Sequence, residues 1–289
     1  MSEFKLFSPE TLEDGLVFLD KFCPHAVLLS GGTDLVPLLK KKIVKPKYVL
    51  ALNRIHQLDQ LCETEDGLLV GALTTHEKVH QSDLLQTYAS ALVEASGSVG
   101  SLQTRNLGTL AGNLANASPS ADSAPALLVL NAELLITSLR AEAVIPLTSF
   151  FKGPKHNCLA SDQMIKEIRF RKLRAREGSA FLKLGRRCAV TMAVASAAAY
   201  VRLDRKRDRV EELRLAFGSV APTPIRAFNT EKKASGLNQA EVCELVRSEV
   251  SKEIDPISDM RATKEYREKV APILAARAVE NAIYRAIAH

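Results

Sequence analysis

The stretch Gln103-Thr-Arg-Asn-Leu-Gly-Thr-Leu-Ala-Gly-Asn-Leu-Ala-Asn-Ala-Ser-Pro-Ser-Ala-Asp122 decides how this chain is read. Few of its residues can build a hydrophobic core, and small or hydrogen-bonding side chains fill most places. Gly108, Ala111, Gly112, Ala115 and Ala117 permit close approach to the backbone. Thr109, Asn113, Asn116 and Ser118 offer polar groups along the same path, and Asp122 closes the run before the apolar segment from Ala124 to Leu130. Two readings are open: a plain Gly/Asn/Ser loop, or a backbone cradle for a large polar ligand.

A second glycine turn bears on the choice. Ala26-Val-Leu-Leu-Ser30 reads as a buried strand that stops at Gly31-Gly32-Thr33-Asp34, and a helical pattern starts at once with Leu35, Val36, Leu38 and Leu39. A strand, a glycine turn and a helix start form an anion-binding arrangement, with free N–H groups at the helix terminus. Pro37 suits the first helical turn. The dinucleotide fingerprint of the Rossmann fold is absent, since the third glycine and the later acidic residue are missing.

The whole chain sets limits. Its 289 residues allow about two domains and a sizeable core. With 46% hydrophobic and 25% charged residues and mean hydropathy near zero, the composition is that of an ordinary globular protein. The net charge of +6 is spread out, with short basic runs at Lys40–Lys42 and Arg205–Arg209. No aromatic residues interleave with them, so nucleic-acid binding is not expected. Cys23, Cys62, Cys158, Cys188 and Cys243 lie far apart and form no CxxC, which argues against a zinc ribbon or iron–sulfur cluster. Their odd count and the lack of a signal peptide favour a cytoplasmic location. No apolar run is long enough to span a bilayer.

Along the chain, Thr11 is placed to cap a first helix. Thr74-Thr-His-Glu77 reads as a capping box in which Thr74 caps and Glu77 reaches back. The helix it opens contains His76-Glu-Lys-Val-His80, a formal match to the zinc-protease pattern. Glu77 already has a capping task, and Glu94 is the only nearby third ligand, so the two histidines read as surface residues and no metal is expected. Leu84–Ala95 is helical in pattern and Ala124–Leu130 is helix or strand. Phe150–Pro154 reads as a turn, and Met164–Phe170 as a strand before a charged connector, Arg171–Gly178. Ala193–Leu203 and Glu211–Gly218 flank a charged turn as an antiparallel hairpin. Pro272 lies inside the last helical pattern, Lys264–Ile287, which must kink there or begin afresh.

Taken together, the glycine-rich stretches resemble those of the FAD-binding (medium) subunit of the molybdenum hydroxylases, the family of xanthine, nicotinate and carbon monoxide dehydrogenases. Leu28-Leu-Ser-Gly-Gly-Thr-Asp-Leu35 is similar to the family's first FAD segment and Gln103–Asp122 to its second. Leu215-Ala-Phe-Gly-Ser-Val-Ala-Pro-Thr-Pro-Ile-Arg226 and Arg261-Ala-Thr-Lys-Glu-Tyr-Arg267 resemble motifs of its C-terminal domain. The resemblance implies an α+β fold of the vanillyl-alcohol-oxidase (PCMH) type. Residues 1–176 would form the FAD-binding domain, with subdomains of about 1–55 and 56–176, and residues 177–289 a C-terminal domain of antiparallel sheet and helices.

By position, the resemblance assigns Val27, Leu28, Leu29, Ser30, Gly31, Gly32, Thr33 and Asp34 to the FAD pyrophosphate. Thr109, Leu110, Ala111, Gly112, Asn113, Asn116 and Asp122 would hold more of the cofactor's polar length, and Leu35 and Gly100 are further cofactor-binding positions. Ile165 matches an apolar contact, and Lys183 a cation that stabilises charge on the reduced ring. No side chain is expected to act as nucleophile or general base. Ala111 replaces the first glycine of the family's Gly-Gly-Asn, and Leu102 stands where relatives often have proline. Gly-Gly-Thr, where the carbon monoxide branch has Gly-Gly-His, points to a purine or N-heterocycle hydroxylase, xanthine dehydrogenase above all.

The implied function is the FAD subunit of a three-part oxidoreductase. It would take electrons from a [2Fe–2S] small subunit, fed by a molybdopterin-binding large subunit, and reduce NAD+ or another acceptor. Arg186 and Arg187 are candidates for NAD phosphates or an acidic partner surface. Two other classes stay open: a free-standing FAD-dependent oxidase or reductase of the same fold, and a non-enzymatic nucleotide-binding module.

Overall fold

Apolar runs between turn signals build a first layer from five elements: β1 (Lys5–Phe7), α1 (Leu12–Phe22), β2 (Ala26–Leu29), α2 (Leu35–Lys40) and β3 (Tyr48–Ala51). The computed structural model describes residues 3–187 and 190–288, so Cys188 lies outside the described residues. Thr11 caps α1 as expected, accepting from the Asp14 N–H at 3.2 Å. The three strands form a parallel sheet in the order β1-β3-β2, which leaves the carboxyl end of β2 free to deliver residues 30–34 to its edge.

The second group contains β4 (Leu61–Thr64), β5 (Gly67–Gly71), α3 (His76–His80), α4 (Asp83–Tyr88), α5 (Ser90–Gly97), α6 (Leu102–Leu107), α7 (Leu110–Ala115) and α8 (Ser123–Val129). It continues with β6 (Glu133–Thr137), β7 (Glu142–Pro146), β8 (Phe151–Gly153), β9 (His156–Asn157) and β10 (Met164–Phe170). The sheet order is β4-β5-β10-β6-β7, so the last strand in sequence occupies the centre. The helical pattern over 84–95 is broken at Ala89, which leaves α-helical geometry and separates α4 from α5. The 150–154 segment is part of the small hairpin β8–β9 rather than a simple turn.

The third group is β11 (Glu177–Gly185), β12 (Ala193–Leu203), β13 (Val210–Gly218), β14 (Ile225–Arg226), α9 (Phe228–Lys233), α10 (Gln239–Glu249) and α11 (Lys264–Ala288). The four strands are antiparallel in chain order, with the expected β12–β13 hairpin at their centre. Alanines on β12 face alanines on α11, which brings helix and sheet close. Pro272 does not interrupt α11. The ring removes the hydrogen bond to the Glu268 carbonyl, and the Ser251 hydroxyl approaches that oxygen at 3.5 Å.

Between the second and third groups lies α8, buried along its whole length and packed on β12 and β13. Arg171 of the connector grips Glu177 with two guanidinium nitrogens, at 2.8 and 3.0 Å, and also donates to the Tyr200 hydroxyl. Hydrogen bonding to Arg171 pulls Glu177 below the usual carboxylate range against the opposing effect of burial. The connector is therefore ordered by a bidentate ion pair at the start of β11.

The closeness of α11 gives a direct test. A Cβ on Gly178 would stand 2.1 Å from the Ala282 carbonyl oxygen and 2.6 Å from the Ala286 nitrogen, both backbone atoms. Gly178→Ala should therefore lower unfolding free energy by about 2 kcal/mol or more, read as a lower urea midpoint at unchanged m-value. An unchanged midpoint would show that α11 moves aside without cost.

Candidate functional site

Two backbone loops meet where the first sheet faces the second group. The first leaves β2 as Ser30–Asp34, with Gly32 at φ 70, a value that favours glycine. The second joins α6 to α7 through Gly108 and Thr109. A Cβ on Gly31 would stand 1.8 Å from the Leu107 carbonyl oxygen, so the loops touch backbone to backbone. Ser30 Oγ and Thr109 Oγ1 share a hydrogen bond of 3.1 Å, and Thr109 also caps α7 by accepting from the Gly112 N–H. A side chain at Gly112 would intrude on both hydroxyls.

The small-residue stretch thus holds most of one short helix and all of another, with a turn segment at 116–122 after them. Its apolar residues do enter the core: Leu110 and Leu114 are fully buried, and Ala111, Ala117 and Ala121 nearly so. Ala111 sits in the second turn-forming position of α7, where helical backbone suits alanine, so no glycine conformation is required there.

Between the loops is a cavity of about 390 Å³. Leu28, Leu29, Ser30, Gly31, Gly32, Thr33, Asp34 and Leu35 line one side. Thr109, Ala111, Gly112, Asn113 and Asn116 line the other, and Ile165 with Met164 closes it from β10. None of the five backbone N–H groups from Ser30 to Asp34 donates to another residue among those described. Main-chain donors are almost always paired in folded proteins, so five in succession at a cavity wall make a receptor for an acceptor-rich ligand. Because α2 is only six residues long, its dipole adds little, and the N–H groups themselves carry the attraction.

Five sequence-assigned residues stand outside this wall. Val27 belongs to β2, Leu110 is buried in the core, and Gly100, at φ 46, precedes the Ser101 cap of α6. Asp122 and Lys183 form a buried ion pair of 2.6 Å, and Lys183 Nζ also donates to the Ser98 carbonyl at 2.9 Å. Burial pushes the Asp122 carboxyl up to about 6, against the pull of Lys183. Its Oδ1 has no partner among the described residues, nor do the neighbouring buried hydroxyls of Ser96 and Ser196. Ser196 is directly opposite Lys183 in the sheet. Arg186 and Arg187 are exposed and bond to the Met260 and Val190 carbonyls respectively.

Other wall residues were not apparent from sequence, among them Leu52, Ala72, Val99 and Leu159. The most consequential is His76, which is buried and lines the cavity rather than lying on the surface. The cap of α3 is Thr75, not Thr74: Thr75 accepts from the Lys78 N–H at 3.2 Å, while Thr74 donates to the Gln60 carbonyl. Glu77 closes no capping box and instead accepts from Arg105 at 2.7 Å and Gln81 at 2.9 Å. Among the described residues no group of His, Cys, Asp and Glu is arranged to hold a metal.

Comparison with known proteins bears on what this site holds. The family described as the FAD binding domain in molybdopterin dehydrogenase matches residues 2–171. The chain belongs to the FAD-binding subunits of the molybdenum hydroxylases. The CO dehydrogenase flavoprotein C-terminal domain matches residues 179–282. Among similar proteins, the glyceraldehyde dehydrogenase medium chain of Sulfolobus acidocaldarius is 31% identical, over 96% of this chain and 97% of that one. The xanthine dehydrogenase FAD-binding subunit of Escherichia coli O157:H7 is 32% identical, over 90% of this chain and 89% of its own length. The solved carbon monoxide dehydrogenase of Hydrogenophaga pseudoflava superimposes with a TM-score of 0.93 at 26% identity, covering 98% of each chain.

The fold is accordingly the PCMH-type FAD-binding arrangement followed by a C-terminal antiparallel sheet with helices. The cofactor of this family is FAD, and the run of free N–H groups beside glycines with no room for a Cβ fits its diphosphate. Among the described residues, no helix is long and apolar enough to cross a membrane.

His76 makes the site's fold sensitive to acid. Burial, reinforced by Arg105, lowers its imidazole from 6.5 to about 4. The unfolded chain protonates this ring below pH 6.5 and the folded chain does not, so the contribution is complete above that pH and is lost on acidification toward 4. The loss by about pH 5 is about 2 kcal/mol. Urea titrations of flavin-free wild type and flavin-free His76→Gln between neutral pH and pH 5 should show a shallower decline in the variant; parallel declines would contradict the assignment.

Proposed function

We propose that this chain is the flavoprotein subunit of a xanthine- or purine-type molybdenum hydroxylase that passes electrons to NAD+. It works in the cytoplasm with a molybdopterin-binding large subunit and a [2Fe–2S] small subunit. The observation that carries the cofactor placement is the row of five unpartnered N–H groups from Ser30 to Asp34. The free thiols of Cys23, Cys62, Cys158 and Cys243 are in keeping with a reducing compartment. Support for the purine class comes from Gly31-Gly32-Thr33 and from the 32% identity to the xanthine dehydrogenase subunit.

Bound FAD supplies the chemistry of accepting single electrons and releasing them as a hydride. The chain binds and orients it. Ser30–Asp34 present N–H groups to the diphosphate, and Thr109, Asn113 and Asn116 offer side-chain partners along the second loop. Asn113 and Asn116 are themselves held in place, by the Ser123 hydroxyl at 2.6 Å and Lys155 Nζ at 2.9 Å. Ile165 offers an apolar surface on β10. Lys183 would be the cation for charge on the reduced ring, and Asp122 fixes its ammonium while the Ser98 carbonyl accepts a second hydrogen bond from it. None of these side chains needs to act as a nucleophile or general base.

Purified protein should show flavin absorbance in the near-ultraviolet and blue, retained after excess FAD is removed, and its absence would end this reading. Gly31→Ala forces the two loops apart and should weaken FAD binding at least about a hundredfold, about 3 kcal/mol, measured by flavin fluorescence. Co-purification with one larger and one smaller partner, and xanthine-dependent NAD+ reduction by that assembly, test the rest. Turnover by the chain alone would instead favour a free-standing oxidase. Reduction driven by glyceraldehyde and not by xanthine would move the assembly to the class of its Sulfolobus relative.

A further inference from the structure

The wall of the cofactor cavity has an unusual charge balance. Among the described residues it contains the Asp34 carboxylate but no lysine or arginine, and its one basic side chain is His76; Lys155 reaches Asn116 from outside the wall. A diphosphate esterified at both ends brings two negative charges. The five N–H dipoles attract it but neutralise no full charge. Arg105, the nearest guanidinium on α6, is paired with Glu77.

His76 is held against this position by a single antiparallel bridge and its two hydrogen bonds. Its own N–H donates to the Gly108 carbonyl at 2.9 Å, and Leu110 donates to the Thr74 carbonyl just before it. An isolated antiparallel bridge joins Thr75 to Thr109. A Cβ built on Gly108 would be 3.4 Å from both His76 Cδ2 and Thr33 Oγ1, so the ring and the hydroxyl of the first loop flank the same point. Neither ring nitrogen has a hydrogen-bond partner among the described residues, and Nδ1 is sealed from solvent. With Nδ1 sealed, Nε2 is the ring nitrogen open to a ligand, and an imidazole this buried gains from a partner there.

We propose that His76 is a ligand of the FAD diphosphate, donating a ring N–H to it, and that FAD binding draws one proton from solvent onto this imidazole. The inference rests on the placement of the diphosphate at Ser30–Asp34. With no anion beside it, burial keeps the ring neutral at physiological pH, whereas an adjacent dianion favours the imidazolium. The other charges around the ring are accounted for. On α3 itself Glu77 is bound by Arg105 and Gln81, and His80 faces the Val93 carbonyl. On α5, Glu94 is taken by Arg285 and the Phe181 N–H, and Asp83 of α4 and Asp34 of the first loop are exposed. A proton on His76 thus supplies a full positive charge that no other wall residue among those described supplies.

Calorimetry on the full chain stripped of flavin tests this directly. FAD is titrated at about pH 6.5 in two buffers of different ionisation enthalpy, which reports protons taken up, with an expected value of up to about one per FAD. ADP-ribose has no diphosphate ionisation near neutrality and should show the same uptake, which locates it at the diphosphate half. The wild-type Kd for FAD should weaken with rising pH by up to about tenfold per unit once the medium leaves the ring neutral. In His76→Gln, which keeps a donor but does not titrate, proton uptake should vanish and Kd should not vary with pH. Wild-type FAD binding without proton uptake overturns the inference, as does uptake that persists in His76→Gln. A chain that binds no FAD in either form overturns the placement of the cofactor itself, a separate and recognisable result.

Discussion

The backbone contact between Gly31 and the Leu107 carbonyl is the constraint on which the site depends. A methyl at that point would overlap an oxygen, so the two loops can close only because residue 31 has no side chain. Closure brings Ser30 to Thr109, and Thr109 in turn starts α7 and pairs with Thr75. One steric allowance therefore aligns the end of a parallel strand, the cap of a helix and the start of α3. The five N–H groups from Ser30 to Asp34 have no acceptor among the described residues.

The opposite end of the arrangement is governed by charge rather than by fit. Lys183 reaches from β11 to Asp122 at the head of α8, so the C-terminal sheet is tied to the helix that follows the second loop. A buried pair of this sort is a poor source of net stability but costs several kcal/mol to break from one side. What the pair does fix is the position of the Lys183 ammonium, held between Asp122 and the Ser98 carbonyl. Arg171, Glu177 and Tyr200 set the same sheet at its other end, again through a guanidinium that spans the junction.

Much of this was legible in the sequence where the signal is local. The strand–glycine–helix unit at 26–40 and the β12–β13 hairpin depend on apolar runs and turn residues close in the chain, and both stand as read. The small-residue stretch was harder. Leu-Ala-Gly-Asn-Leu-Ala has weak helical preference, and α7 exists because Thr109 caps it and Leu110 and Leu114 find a core made elsewhere. The place of His76 was hidden for a related reason. Its neighbours suggested an exposed first turn, but the Gly108 carbonyl, remote in sequence, draws that turn inward. Lys183 and Asp122 were named only through the resemblance, and their mutual pairing is a fact of tertiary distance alone.

The position of β10 has a consequence for how the protein is made. This strand lies at the centre of its sheet yet is the last of its five in the chain, and it carries Met164 and Ile165 of the cavity. During synthesis β5 and β6 have no central partner until Phe170 has left the ribosome, and such long-range pairing is slow. The binding cleft therefore has no floor while the nascent chain is shorter than this. A cleft that includes β10 can be complete only after more than half of the polypeptide has been made.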